Sequence, residues 1–167
     1  MRYSRQAGFG LVEVLMAALV LGVGIMGAVA SHLVALRTRQ ATALTSTAVV
    51  VAGSAAERIR ANVRQRDLYI GLDYDALRDG APSGGGGAGL AASDLHELRE
   101  AVYAGFPSGR IVICRDGAVS HGGQLVWSCA GGAGAPVAIK VGWVERGPGA
   151  APDSPPAVAV LADGGAP

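Results

Sequence analysis

Several features that would identify an enzyme or a nucleic-acid-binding domain are lacking from the sequence. The 167 residues carry a formal net charge of only +1, whereas a strongly basic nucleic-acid binder shows a larger excess. There is no H-E-x-x-H, G-x-S-x-G or G-x-x-x-x-G-K-[ST] motif. Aromatic residues make up 5% of the chain, while 26 glycines and 8 prolines are many for a compact globule. We therefore expect neither catalytic activity, nor a cofactor, nor a small-molecule substrate.

Charged residues are also missing from one long stretch near the N-terminus. The 23 residues from Val14 to Leu36 contain no Asp, Glu, Lys or Arg. A helix of about 20 apolar residues crosses the hydrocarbon core of a bilayer, so this stretch is long enough to span a membrane. Glu13 lies at its start, although an acidic group deep in hydrocarbon costs roughly 2.5–3.5 kcal/mol. Glu13 is therefore either at the membrane interface or has a specific partner.

Two interpretations of this segment need no partner for Glu13. A secretory signal would use Arg2 and Arg5 as its basic start and would be cut after Ala30, which leaves Ser31 as the first residue. Its apolar part would exceed the usual ~7–15 residues, and Glu13 would interrupt it. A plain membrane anchor fits the length of the stretch and places Glu13 at the interface. Both interpretations stay open as alternatives.

The stretch "GFGLVE", residues 8–13, resembles the signal of type IV prepilins: Gly, Phe, three residues and Glu, between a short basic leader and an apolar helix. The resemblance implies that a prepilin peptidase cuts between Gly8 and Phe9 and methylates the new N-terminal amine of Phe9. It also implies a partner for Glu13, the positive amine of a neighbouring subunit, because a carboxylate in a medium of low dielectric constant seeks such a charge. Their pairing would help to set the subunit register during assembly.

The helical pattern continues beyond the apolar stretch. No proline interrupts residues 9–66, which predicts a helix of about 87 Å. Apolar residues at spacings of three or four predict one buried face, and four arginines are predicted to lie largely away from it. The apolar positions are Leu44, Ala48, Val51, Ala55, Ile59 and Val63, and the arginines are Arg58, Arg60, Arg64 and Arg66.

The end of this helix carries a second resemblance. The segment "AAERIRANVRQ", residues 55–65, is similar to the end of the long helix in the PilV class of minor pilins, the type IV pilus modification proteins. In that class an E-R-I-R-A-N stretch recurs, and here it corresponds to residues 57–62. On physical grounds alone, the same stretch is a charged, solvated helix end.

The C-terminal half begins with a stretch that we predict to be loop, residues 67–92. It contains the carboxylates of Asp73 and Asp75, expected in a polar turn, and the flexible "PSGGGGAG". A short helix is predicted next, with Asp94 as its N-cap and Glu97 completing a capping box. Its start and the turn after it also resemble the PilV class. Leu95, Leu98 and Val102 share the apolar face of this helix. Gly105 and Pro107 end it.

Four segments of the C-terminal half are predicted to be strands: "RIVICRD", "QLVWSC", "PVAIKVGWVER" and, at the sheet edge, "PAVAVLAD". In the third segment Val137, Ile139 and Val141 face one way, with Trp143. A small antiparallel sheet with one apolar face needs a cover, and the apolar face of the long helix provides it. The predicted fold class is α+β and pilin-like, with a long N-terminal helix, membrane-spanning in its first half, packed on a small antiparallel β-sheet.

The two cysteines, Cys114 and Cys129, fall on predicted neighbouring strands with 14 residues between them. A disulfide that closes a loop near this length stabilises a domain by ~3 kcal/mol and suits a small exported domain. Free thiols or a metal site that includes His121 are the alternatives. Two cysteines and one histidine lack a fourth ligand for zinc. We therefore expect a disulfide and no metal.

These patterns and resemblances predict a minor pilin of the PilV class. Its parts are a prepilin leader at 1–8, a transmembrane and assembly half of the helix at 9–36, an amphipathic second half at 37–66 and a periplasmic globular region at 67–167. The implied partners are the prepilin peptidase, other minor pilins, the major pilin and the inner membrane. The C-terminal domain would lie in the periplasm before assembly, and the protein would then enter the extracellular pilus.

Two other functions are compatible with the same sequence. A minor pseudopilin of type II secretion shares the signal and the arrangement of a helix on a sheet. A pilus-tip module that binds surfaces or DNA is the second. Loss of the leader removes two arginines and lowers the formal net charge from +1 to −1, so the arginines near the helix end are the only basic patch that could contact phosphates.

Overall fold

A computed structural model of the chain describes residues 10–83, 87, 89–144 and 154–162. The chain divides into two compact units, Met1–Thr42 and Ala43–Pro167. In chain order the elements are α1 (Leu11–Ala61), a 3-10 helix (Val63–Leu68), β1 (Leu72–Asp75), α2 (Ala76–Asp79), α3 (Leu90–Gly105), β2 (Arg110–Arg115), β3 (Ser120–His121), β4 (Gln124–Leu125), β5 (Val137–Gly142) and β6 (Val158–Leu161).

In the first unit the structure describes the N-terminal part of α1. Its large apolar side chains are more than half exposed, from Leu11 at 78% to Val29 at 53%. The most apolar 18-residue window of α1 has a mean hydropathy of 2.3, and none of that window is buried. By length and composition, α1 is the one helix among the described residues that could cross a membrane. This part of the helix therefore needs apolar surroundings that the described residues do not supply.

The second unit is built on a four-stranded antiparallel sheet with the order β1-β2-β5-β6. Ile111 of β2 lies opposite Val141 of β5, and Lys140 of β5 lies opposite Ala159 of β6. β6 is the edge strand that the sequence predicts. The segment "QLVWSC" differs from its prediction: only Gln124–Leu125 is a strand, and it pairs with β3 in a separate hairpin.

One face of the sheet packs against α3 and the last turns of α1, which confirms the predicted α+β class. The buried face of α1 is made largely of alanines, which let the helix backbone approach the sheet closely, and Ile59 extends it. Leu98 and Val102 of α3 join this core, as predicted, with Leu95 partly buried beside it. The alanines are Ala48, Ala52, Ala55 and Ala56, each 0% exposed.

The α-helix ends earlier than the sequence predicts. It stops at Ala61 and not at residue 66, and Asn62 has the non-helical angles φ −113° and ψ 48°. A 3-10 helix then turns the chain, so Val63 falls outside the buried face and is 62% exposed. No proline or glycine marks this end in the sequence, and the segment "VRQRDL" fits a 3-10 helix as well as an α-helix, so the sequence alone does not locate it.

The stretch predicted as loop contains regular structure. β1 forms part of it and pairs with β2, so Asp73 and Asp75 lie on a strand and not in a polar turn. α3 starts at Leu90, directly after Gly89 with φ 120°, upstream of the predicted start. Asp94 is therefore inside the helix and 7% exposed, and the prediction that it caps the helix is wrong. Glycine suits this start because a positive φ strains other residues.

The opposite face of the sheet is covered by the chain between β2 and β5. All six residues of β5 are buried, including Ala138, Lys140 and Gly142, which the alternation of the strand places on this face. Trp127 packs over Gly142 so closely that a Cβ on this glycine would come within 2.9 Å of the ring. The sheet is thus buried on both faces, whereas the sequence predicts one apolar face.

Candidate functional site

The N-terminal signal is partly within the described residues. Gly8 and Phe9, the predicted processing site, lie outside them. Glu13 lies in the first turn of α1, where its backbone N–H donates to the carbonyl oxygen of Gly10 at 3.0 Å. Its side chain is exposed. A carboxylate is favourable near a helix N-terminus, and an exposed one beside an apolar segment can meet a positive group from outside the chain.

The segment that resembles the PilV class forms a junction at the end of α1. Arg58 bridges α1 to α3: its Nη1 lies 2.5 Å from Oδ1 of Asp94 and 2.8 Å from Oε2 of Glu97. Hydrogen bonding to Glu97, with that to Asp94, outweighs burial and raises the pKa of the Arg58 guanidinium. Arg58 thereby holds two acidic side chains of one helix against the end of another.

The Asp94 carboxylate also receives a hydrogen bond from the next element. The hydroxyl of Tyr69, which is 0% exposed, donates to Oδ2 of Asp94 at 2.5 Å. Asn62 in turn donates to the Tyr69 hydroxyl at 3.3 Å. Burial raises the pKa of the Tyr69 hydroxyl, and the hydrogen bond to Asp94 raises it further, so the group stays a donor. A buried carboxylate is tolerated here because it is paired and hydrogen-bonded.

Arg60 connects the same helix end to the last strand. Its guanidinium donates to the carbonyl oxygen of Leu161 at 2.9 Å and to that of Ala162, and it pairs with Glu57 at 2.5 Å. The charged side chains of the E-R-I-R-A-N stretch thus make specific contacts within the chain. Arg58 and Arg60 therefore both have partners within the chain, and contact of these arginines with DNA phosphates stays a hypothesis.

The disulfide joins Cys114 on β2 to Cys129, whose Cα atoms are 6.2 Å apart. Cys129 lies outside the strands, so the prediction that both cysteines sit on neighbouring strands is wrong for this one. The bond closes a loop over the face of the sheet opposite α1. This loop contains the β3–β4 hairpin and Trp127.

A buried ion pair lies beneath this disulfide loop. Nζ of Lys140 is 2.5 Å from Oδ2 of Asp116, and both side chains are 0% exposed. Burial would raise the pKa of the Asp116 carboxyl, but hydrogen bonds from Lys140 and from the backbone N–H groups of Ala118 and Ala130 outweigh it and hold the pKa below its usual range. Sequence reasoning missed this pair. Its signal was the apolar run "IVIC" and the small neighbours of Lys140, Ala138 and Gly142, which are typical of a strand buried on both faces.

The described residues contain no group of three or more His, Cys, Asp or Glu side chains that could hold a metal ion. His121 lies on β3 and is exposed. A pocket of about 240 Å³ is lined in part by Asp73, Asp79, His96 and Arg99. Both of its carboxylates already pair with arginines of the chain, Asp73 with Arg110 at 2.9 Å and Asp79 with Arg78 at 2.8 Å.

A long apolar N-terminal helix whose end packs on a small antiparallel sheet is the arrangement of a pilin-like protein. Residues 3–29 match the family model for the prokaryotic N-terminal methylation motif. No curated protein and no solved structure matches the chain. The motif is the prepilin-type signal, so the chain is similar to type IV pilin-like and pseudopilin subunits, and the motif indicates a structural subunit. The motif implies cleavage by a prepilin peptidase and assembly with other pilins, and together with the apolar helix it fits membrane anchoring before assembly.

Proposed function

We propose that the protein is a minor pilin of the type IV pilus, of the PilV class. The observation that carries the proposal is the match of residues 3–29 to the methylation motif, which includes the start of a continuous helix whose other end packs against a sheet. The contacts of residues 57–62 support the finer class, because that stretch resembles the helix end of PilV proteins and here organises the junction with α3 and β6.

In this proposal the signal has two chemical tasks. The peptidase cuts between Gly8 and Phe9 and methylates the new amine. Glu13 then pairs with the N-terminal amine of a neighbouring subunit in the membrane and fixes the register of the incoming helix. Its exposed position in the first turn of α1 leaves the carboxylate available for such a partner. The protein acts as a subunit of the pilus or of its initiating tip complex, first anchored in the inner membrane with its C-terminal domain in the periplasm.

The intact mass and N-terminal residue of the protein from native membranes test the processing step. We expect a methylated chain that begins at Phe9. Gly8→Val should stay uncut, because a branched side chain would occupy the position before the cleaved bond. Gly10→Ala is the matched control and should be processed, since a Cβ at Gly10 meets nothing within 4 Å. A wild-type start at Ser31 would identify a secretory signal, and an uncut Met1 would identify a plain anchor.

The role of Glu13 is tested separately with Glu13→Gln, which keeps the shape of the side chain and removes its charge. We expect normal cleavage at Phe9, measured by mass, but a strongly reduced amount in the sheared pilus fraction. Equal incorporation of the variant and the wild type would contradict the assembly role and leave the processing result intact.

A minor pseudopilin of type II secretion is the alternative that the methylation motif itself leaves open. Deletion of the coding sequence distinguishes the two. A minor pilin should be needed for surface pili, whereas a pseudopilin should be needed for the release of secreted proteins. Cross-linking from the helix in native membranes should correspondingly capture the major pilin or a pseudopilin.

A further inference from the structure

The buried ion pair and the disulfide act on the same short segments of chain. Asp116 follows Cys114 closely in sequence, and its Oδ1 accepts hydrogen bonds from the backbone N–H of Ala118 at 3.0 Å and of Ala130 at 3.1 Å. Ala130 is the residue after Cys129. The carboxylate of Asp116 therefore ties the chain beside one cysteine to the chain beside the other, independently of the sulfur atoms.

Lys140 holds the same loop from the sheet below. Its ammonium group has three protons. It donates to Oδ2 of Asp116 at 2.5 Å, to the carbonyl oxygen of Val126 at 2.7 Å and to that of Ser128 at 2.7 Å. Ser128 precedes Cys129, so both neighbours of this cysteine are fixed by the ion pair. The network uses all three protons and both carboxylate oxygens, which is the condition under which a buried ion pair is well compensated.

We propose that the Lys140–Asp116 network folds the loop before the disulfide forms and positions Cys129 next to Cys114 for oxidation. The covalent bond then closes a loop whose ends are already held by five hydrogen bonds, those to Ala118, Ala130, Val126, Ser128 and between the two charges. The energetic coupling is reciprocal: the free energy by which the network favours the disulfide equals that by which the disulfide favours the network. After reduction, the network keeps the loop on the sheet.

The oxidation step is a thiol–disulfide exchange with a disulfide-bearing oxidant, either a small molecule or a protein. The thiolate of one cysteine attacks the oxidant and forms a mixed disulfide, releasing one thiol. The thiolate of the second cysteine then displaces the other thiol and forms the Cys114–Cys129 bond. Two cysteine thiols are oxidised and one disulfide of the oxidant is reduced to two thiols. The network contributes by placing the second thiolate within reach.

The first test removes the disulfide and keeps the network, in full-length Cys114→Ser/Cys129→Ser protein in detergent micelles. Hydrogen exchange of the peptides that contain the Ala118 and Ala130 amides is measured by mass spectrometry. We expect these peptides to remain protected, together with β2 and β5. Exchange at the rate of an unstructured peptide there, with β2 and β5 still protected, would overturn the proposal, because the loop would then depend on the covalent bond alone.

The second test removes the network and keeps both cysteines. In Lys140→Met/Asp116→Leu the charges are replaced by apolar groups, which avoids leaving one buried charge unpaired. The ratio of oxidised to reduced protein is measured by thiol alkylation in a glutathione buffer. We expect this ratio to fall about tenfold or more, because the variant loses the charge-assisted hydrogen bonds that hold the two cysteines close together. Arg78→Gln, which removes an exposed pair of α2, is the control and should leave the ratio unchanged. An unchanged ratio in the double variant would also overturn the proposal. If the double variant does not fold, the hydrogen-exchange measurement on the cysteine-free protein decides whether the proposal holds.

Discussion

The two faces of the sheet are buried by different kinds of structure. On one face, α1 and α3 contribute apolar side chains and the core contains Ile111, Ile113 and Ile139, each 0% exposed. On the other face, a disulfide loop without long helices or strands does the covering, and it buries a lysine and an aspartate. The first face depends on area removed from water, whereas the second depends on a complete set of polar contacts.

This difference predicts opposite responses to substitution. An apolar core loses stability gradually as volume is removed, because neighbouring side chains relax into part of the cavity. A buried ion pair fails abruptly when one partner is removed, because the other is left as an uncompensated charge. The experiments that follow separate these responses, beginning with the largest expected effect.

Lys140→Met removes the buried cation from the face of the sheet that the disulfide loop covers. It leaves the Asp116 carboxylate buried without its cation, and we expect the free energy of unfolding to fall by about 3–5 kcal/mol. Chemical denaturation of the full-length protein in detergent, with the disulfide intact, measures the change. The double variant with Asp116→Leu should recover most of the loss. A single variant within about 1 kcal/mol of the wild type would show that the pair is not buried as described.

Ile139→Ala tests the apolar face from the neighbouring position of the same strand. Removing a fully buried isoleucine side chain should cost about 3 kcal/mol in the same denaturation assay. Leu161→Ala on the edge strand is the matched control, because Leu161 is 42% exposed and should lose clearly less. Equal losses at the two positions would contradict the helix-covered core.

The smallest expected effect is a loss of stability in acid. The folded pKa of Asp116 is below its unfolded value of 3.8, so this group stabilises the fold above pH 3.8 and loses that contribution as the pH falls through the folded pKa. The exposed Asp79 behaves in the same direction: hydrogen bonds from the Arg78 side chain and the Asp75 backbone lower its pKa from 3.8 to about 2.

Salt separates the two carboxylates, because exposed pairs are screened and buried ones much less. We expect the melting temperature to fall between pH 4 and pH 2. The fall should persist in about 1 M salt and in Asp79→Asn. A fall that disappears under either condition would assign the acid sensitivity to the surface and not to the buried pair.

Sequence reasoning predicts those parts of the fold whose pattern is local. Composition or periodicity is enough to predict the charge-free stretch of α1, the apolar face of α3 and the edge strand β6. β1 was missed because its four residues hold only two buried side chains, Leu72 and Tyr74, and its identity as a strand comes from pairing with β2.

The roles of Asp94 and Lys140 could not be predicted for a related reason. Each is polar in a segment whose pattern assigns it to a helix start or a solvated face. Each becomes buried because a distant part of the chain supplies the partner, Tyr69 for Asp94 and Asp116 for Lys140. The signal at the N-terminus was readable from the sequence, and the roles of Gly8, Phe9 and Glu13 in processing and assembly stay predictions.

The contacts of Arg60 impose an order on the formation of the domain. This arginine is separated from the two carbonyl groups that it binds by 101 and 102 residues. During synthesis, α1 therefore emerges long before its last turn can meet β6, and until then Glu57 is the partner within its own helix. The hydrogen bonds of Arg60 to the C-terminal strand form only once that strand has arrived, so a chain truncated before β6 would keep the contacts of Arg58 with α3 and lack those of Arg60.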